Sequence, residues 1–173
     1  MSGLYINRNI LLALMALVLP ACSTLGTDLT RIKDTVIVQF RKPGEHMILP
    51  PKTVWENAAC SGRNIPHFLI EQYQVIPVSL RAGGFFSQRL IYSLCTNERG
   101  DEILGKLHTR IYFRGEPIIT DTDSNYALKP GKWCIDRIID IPPNATPGVY
   151  SIEMEFMSSE LKFKQHENFI IND

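Results

Sequence analysis

Neither sign of charge is in excess in this sequence, because 18 lysine and arginine residues face 18 aspartate and glutamate residues over 173 positions. A domain that binds nucleic acid carries a concentrated basic face, so this balance argues against a nucleic-acid partner. Aromatic residues are few, at 9%, but 45% of the chain is hydrophobic, which excludes a disordered protein. Length and composition predict one globular domain, or two very small ones.

Helical periodicity, internal repeats and low-complexity tracts are also missing from the sequence. About seven to nine short runs instead have β-branched content or apolar side chains at every second position, as half-buried strands do. The clearest run is 149–156, where aromatic and aliphatic residues alternate with serine and glutamate. This pattern predicts an all-β fold, an antiparallel two-sheet sandwich.

Long hydrophobic runs are limited to residues 10–19, which follow Arg8 near the N-terminus. Ten helical residues rise about 15 Å, roughly half the hydrocarbon core of a bilayer, so this run is too short to span a membrane. A positive charge followed by a short apolar run is typical of a signal peptide.

The sequence Leu19-Pro20-Ala21-Cys22 ends this run and resembles the bacterial lipobox. The resemblance implies that Cys22 receives a diacylglycerol on its thiol, that a peptidase cuts before it, and that the new amine is acylated. An ordinary secretory signal peptide is the alternative. The expected organisation is a lipoprotein signal peptide at 1–21, a flexible tether at 22–34 and a β-sandwich domain at 35–173.

Lipidation of Cys22 predicts a location as well as an anchor. Two or three acyl chains, at about 0.8 kcal/mol per buried CH₂ group, hold a protein stably on a membrane. Ser23 follows the cysteine where the sorting rule of enteric lipoproteins has Asp for inner-membrane retention. The resemblance therefore implies the outer membrane, with the periplasmic side favoured over the cell surface, and no cofactor besides the covalent lipid.

Residues 129–156 resemble the late strands of bacterial immunoglobulin-like modules. In those modules a strand ends at a proline, a Thr-Pro-Gly loop follows, and a tyrosine opens the next strand; Thr146-Pro147-Gly148 and Tyr150 match this order. The resemblance implies a sandwich of immunoglobulin-like type and says nothing about activity.

The four cysteines are reduced to three once lipid occupies Cys22, which leaves Cys60, Cys95 and Cys134 for one disulfide and one thiol. In an immunoglobulin-like order the strand that finishes at Cys95 lies antiparallel to the strand that contains Cys134. The resemblance thus favours a Cys95–Cys134 disulfide. Pairing of Cys60 with either of the other two remains open.

Two groups of side chains with oxygen atoms have the spacing of possible sites. Asp121, Asp123 and Asn125 are spaced like the start of a calcium loop, but the later positions that need glycine and glutamate hold Tyr126 and Lys132. We therefore interpret residues 121–129 as a polar loop. A second group, the alternating glutamates 153 and 155, is interpreted as the solvent face of a strand.

No nucleophile or metal motif points to an enzyme, and the widely spaced histidines predict no metal site: His46, His67, His108 and His166. We predict a non-catalytic scaffolding or partner-binding module, an accessory subunit of an outer-membrane, secretion or appendage assembly, with another envelope protein as partner. The alternative is a carbohydrate- or peptidoglycan-binding module that stacks glycans on surface aromatics, for which the candidates are Trp55, Tyr73, Phe85, Phe86, Tyr126 and Trp133.

Overall fold

The computed structural model describes residues 44–97 and 100–173. The predicted signal peptide, the lipobox with Cys22, the tether and a strand predicted at 35–40 lie outside these ranges. In the described part of the chain, no helix has the length and hydropathy needed to cross a membrane.

The described residues form nine strands, one short helix and one 3-10 turn. The strands are β1 (Gly44–Leu49), β2 (His67–Ile76), β3 (Ser79–Arg81), β4 (Phe85–Cys95), β5 (Ile103–Phe113), β6 (Glu116–Leu128), β7 (Gly131–Asp140), β8 (Gly148–Met157) and β9 (Lys162–Asn172). The helix α1 (Pro51–Asn57) and the 3-10 turn (Cys60–Gly62) lie between β1 and β2.

Two sheets pack face to face. One has the strand order β1-β7-β4-β2 and the other has the order β3-β9-β8-β5-β6. All neighbours are antiparallel except β3 and β9, which run parallel. The predicted all-β two-sheet sandwich is confirmed.

The alternation seen in the sequence becomes the core of the sandwich. On β8 the side chains of Ile152, Met154 and Phe156 are fully buried, and Phe156 stacks on Phe163 of β9. Each large apolar side chain moved out of water stabilises the fold by about 1.5–3 kcal/mol. The period-2 pattern therefore placed these residues correctly.

A polar layer divides the core into two apolar clusters. Gln88 and Arg137 are cross-strand partners on β4 and β7, and Arg137 donates a hydrogen bond to Thr109 on the opposite sheet. Gln88 donates to the hydroxyl of Tyr73 at 2.8 Å. Burial raises the pKa of Tyr73 above its ordinary value, so the phenol stays a neutral hydrogen-bonding group.

The predicted loop at 121–129 is wrong, because most of it belongs to β6. Arg114 and Gly115 both have positive φ and form a two-residue turn, after which β6 pairs with β5 to Leu128. The polar composition of this segment reflects exposure on both faces. Pairing with β5 satisfies the main-chain groups on one edge of the segment and does not depend on its side chains.

The favoured Cys95–Cys134 disulfide is also wrong, because the structure joins Cys60 to Cys95. Cys134 lies opposite Ile91, four positions before Cys95 on β4, which is about 13 Å along a strand. A disulfide spans Cα atoms less than about 7 Å apart. The 3-10 turn instead brings Cys60 over the end of β4, where it packs with Val54 of α1; Cys134 is buried outside the disulfide.

Candidate interaction surface

Strand β6 is the last strand of its sheet and the longest in the described part of the protein. Its first ten residues, 116–125, are exposed on both faces, whereas Tyr126 and Leu128 enter the core. Among the described residues, β6 pairs on one edge only, with β5. An edge strand of this kind presents main-chain donors and acceptors to a partner.

The position of Pro117 identifies the main-chain groups that face the open edge. Proline has no N–H, so within a sheet its nitrogen points away from the neighbouring strand. Pro117 is the partner of Tyr112 on β5, and two further β5 positions of the same parity, 110 and 108, pair with Thr120 and Thr122. Since antiparallel hydrogen bonding alternates, the N–H and C=O groups of Thr120 and Thr122 point to the open edge.

The side chains of this edge are acidic and partly apolar. Glu116, Asp121 and Asp123 are its charged residues, and β6 contains no lysine or arginine. Asp121 lies 3.6 Å from Arg137 but keeps 71% of its side chain exposed. Ile118 and Ile119 are about half exposed beside them. The edge therefore combines negative charge and apolar surface with main-chain groups that no described residue pairs.

A second charged feature covers the outer face of the same sheet. Arg110 of β5 lies 2.7 Å from both Glu153 and Glu155 of β8, and Lys164 of β9 lies 2.6 Å from Glu153. Glu153 lies on this outer face, as expected, but its partners Arg110 and Lys164 cover it, so that it is only 7% exposed. The flanking cations could not be seen in the sequence, because they come from two other strands.

The ion pairs of Glu153 affect its ionisation. Burial opposes the charged form, but hydrogen bonds from Lys164 and Arg110 outweigh it and lower the pKa below the ordinary 4.5. A carboxylate held ionised at neutral pH in this way stabilises the fold. It is not poised to act as a general acid.

We expect Glu153→Gln to lower the free energy of unfolding by about 1 kcal/mol at pH 7. Because the folded pKa is lowered, this contribution is complete above the ordinary pKa of 4.5 and is lost as the pH falls through the folded value. Urea titrations at several pH values between 3 and 7 measure the difference. A gap between wild type and variant that stays constant down to pH 3 would contradict the assignment.

The outer face of the other sheet carries two separate ion-pair groups. Asp136 on β7 is buried, accepts hydrogen bonds from Ser87 and is paired with Arg89. On β2, Glu71 accepts a hydrogen bond from Ser93 and forms an ion pair with Lys132. Each carboxylate is occupied by its own partners, so neither group offers a nucleophile activated by a base.

The candidate metal ligands are not brought together. Across residues 44–97 and 100–173, no three histidine, cysteine or carboxylate side chains are arranged to hold an ion. His108 instead shares a hydrogen bond of 2.8 Å with Thr122. A cavity of about 320 Å³ lies at the start of β5, and its lining includes the carboxylates of Asp101, Glu102 and Glu160.

The candidate glycan-stacking residues are scattered. Phe86 and Tyr126 are buried, Trp55, Tyr73 and Trp133 are half-buried, and only Phe85 of the six is exposed. Trp133 is further held by a hydrogen bond from its Nε1 to the carbonyl of Pro130. A glycan platform needs several exposed rings in one plane, and these six side chains do not provide it.

In comparisons with known proteins, this chain is similar to parts of several solved structures. No family model matches the sequence, and no curated protein matches it. The alkylpurine DNA glycosylase AlkC of Pseudomonas fluorescens aligns over 62% of this chain and 31% of its own, with 11% identity and a TM-score of 0.44. A β-glucuronidase of Parabacteroides merdae aligns over 60% of this chain and 13% of its own, with 18% identity and a TM-score of 0.39.

A family 123 glycoside hydrolase of Clostridium perfringens is similar over 54% of this chain and 22% of its own, with 15% identity and a TM-score of 0.37. The chain thus spans less than a third of the length of each of these three proteins. Likeness at this level does not assign an activity to it.

Proposed function

We propose that this chain is a lipid-anchored envelope protein whose immunoglobulin-like sandwich binds a partner protein without catalysis, as an accessory subunit of an outer-membrane, secretion or appendage assembly. The observation that carries the proposal is the edge of β6. Ten consecutive residues of that strand are exposed on both faces, and its far edge has no neighbour in the described part of the chain. Exposed edges and end loops are the surfaces by which such sandwiches bind partners.

Two features support the immunoglobulin-like part of the proposal. The hydroxyl of Tyr150, at the start of β8, donates a hydrogen bond of 2.6 Å to the carbonyl of Thr146. Immunoglobulin-like domains have such a tyrosine corner at the same kind of turn. The second feature is a change of sheet: the chain leaves one sheet at the end of β2 and enters the other as β3, which pairs in parallel with β9, the last strand of the chain.

The electrostatic arrangement supports a non-catalytic role. Three carboxylates, the buried Asp136 and Glu153 and the more exposed Glu71, are paired with arginine or lysine in three separate places. The pKa of both glutamates is lowered, which favours the ionised, hydrogen-bonded state over proton transfer near neutral pH. We therefore interpret these ion pairs as structural and assign partner binding to the edge of β6.

The anchoring part of the proposal rests on the lipobox at Cys22. The predicted tether, residues 22–34, has a maximum reach of about 40 Å when fully extended. A module on such a tether can reach a partner in the same membrane or in the adjoining periplasm.

Metabolic labelling with an alkyne fatty acid tests the anchor. We expect the wild type and a neighbouring control, Thr24→Ala, to take up the label and to fractionate with membranes. Cys22→Ala is expected to lose the label completely, because no other thiol lies at a lipobox. An unlabelled wild type would contradict lipidation.

Site-specific photo-cross-linking in living cells tests partner binding. A photoreactive residue at Ile118 on β6 is expected to capture one envelope protein, whereas the same residue at Lys162, which is exposed on β9, captures none. Equal yields at both positions, or no adduct at either, would contradict a partner at the β6 edge.

A further inference from the structure

We infer that the open edge of β6 takes an extended, basic segment of the partner as an added strand. The inference rests on the proposed function and specifies the surface and the chemistry of the ligand. Strand addition joins the main chains of the two proteins by hydrogen bonds, and side chains then determine which segment fits.

The main chain of β6 is suited to this mode. Thr120 and Thr122 direct their N–H and C=O groups away from β5, as their parity with Pro117 requires. Both lie within the stretch that is exposed on both faces. An added strand therefore finds hydrogen-bonding groups at alternate residues without displacing any described part of the fold.

Charge selects the kind of segment. Asp121 and Asp123 lie beside these positions and Glu116 lies nearer the hairpin; β6 itself has no positive residue, and Asp121 keeps 71% of its side chain exposed despite Arg137 at 3.6 Å. Lysine or arginine at alternate positions of an added strand would come within reach of these carboxylates. An acidic segment would meet like charge on the neighbouring strand, which is destabilising.

Protection against pairing is concentrated at the two ends of β6, and the stretch between them is regularly paired with β5. Natural edge strands are blocked by lysine, proline, bulges or shortness. On β6, Pro117 and one register shift lie near the hairpin and a second register shift lies between Asp123 and Tyr126, so the uninterrupted stretch is 119–123, which carries no lysine or proline. By contrast, the edge strand β1 is six residues long, and its Glu45 is tied to Tyr126 and Lys129.

Titration with synthetic peptides tests the inference on the full mature chain. The probe is an acetylated, amidated ten-residue peptide in which lysine alternates with valine, and the matched control has glutamate in place of lysine. We expect the lysine peptide to shift the amide resonances of β6, to weaken as salt is added, and to bind at least tenfold more tightly than the glutamate peptide.

Three variants of β6 separate the contribution of main-chain pairing to binding from the contribution of charge. Thr120→Pro removes an edge-facing N–H without removing a hydrogen bond to β5, and we expect it to weaken binding at least tenfold. Thr120→Val keeps the N–H and is expected to bind within twofold of wild type. Asp121→Asn with Asp123→Asn is expected to weaken binding about fivefold and to flatten its salt dependence. Circular dichroism melting verifies that each variant is folded.

Three results would overturn the inference. One is a lysine peptide that binds Thr120→Pro as well as wild type. Another is a preference for the glutamate peptide or no binding of either. The third is slow hydrogen exchange at Thr120 and Thr122 without peptide, because the edge would then already be occupied by the chain's own N-terminal residues or by a second copy. A Thr120→Pro variant that still cross-links its envelope partner would retain the proposed function while refuting strand addition.

Discussion

Replacement of Cys60 by serine is expected to lower the free energy of unfolding by about 3–4 kcal/mol. The disulfide joins residues separated by 35 positions, and it links the 3-10 turn after α1 to the end of β4. In the chain-entropy model the bond stabilises the fold by restricting the unfolded chain. Urea unfolding followed by tryptophan fluorescence measures the loss.

The cysteines provide their own control for this result. Dithiothreitol is expected to destabilise wild type and Cys134→Ser by similar amounts, and to leave Cys60→Ser unchanged. Cys134→Ser itself should cost less, about 1 kcal/mol, because it replaces a buried thiol without opening a covalent loop. A Cys134→Ser variant that is insensitive to reductant would instead indicate that Cys134 takes part in the bond.

Loss of the Asp136 carboxylate is expected to have a comparable effect. Asp136→Ala should destabilise the fold by about 3 kcal/mol. Asp136 is only 1% exposed, and its loss leaves Ser87 and Arg89 without the acceptor that they share. The carboxylate thereby connects β7 to residues 87 and 89, which lie on the same face of β4. Thermal and urea unfolding at pH 7 both measure this loss.

Glu71 offers a matched comparison on the same sheet. Its ion pair with Lys132 is partly solvated, so Glu71→Ala is expected to cost less than about 1 kcal/mol. Added salt should reduce the cost of Glu71→Ala more than that of Asp136→Ala, since buried pairs are screened less. Equal losses for the two variants would show that burial is not what distinguishes them.

The main features of the fold could be predicted from local patterns. On β8 each apolar residue of the alternation faces the core, and the predicted period gave the correct face for Ile152 and Phe156. Local patterns were sufficient here because burial of one face acts on every second residue of a single strand.

The interaction surface was harder to predict. Residues 121–125 look like a loop in the sequence because an edge strand exposed on both faces has no apolar alternation. The predicted disulfide pair is wrong because the pairing of the cysteines depends on cross-strand register and on where the turn at Cys60 lies. Both depend on residues far away in the chain.

The sequence by itself determined charge balance, the all-β sandwich and its core alternation, because these follow from composition and from each strand's own period. It also supplies the lipobox on which the proposed anchor at Cys22 depends. Only the tertiary structure decided that Cys60 pairs with Cys95, that Glu153 is buried between two cations, and that, within the described part of the chain, β6 is the last strand of its sheet. Each of these depends on which strands become neighbours, and strand pairing is a property of the whole fold.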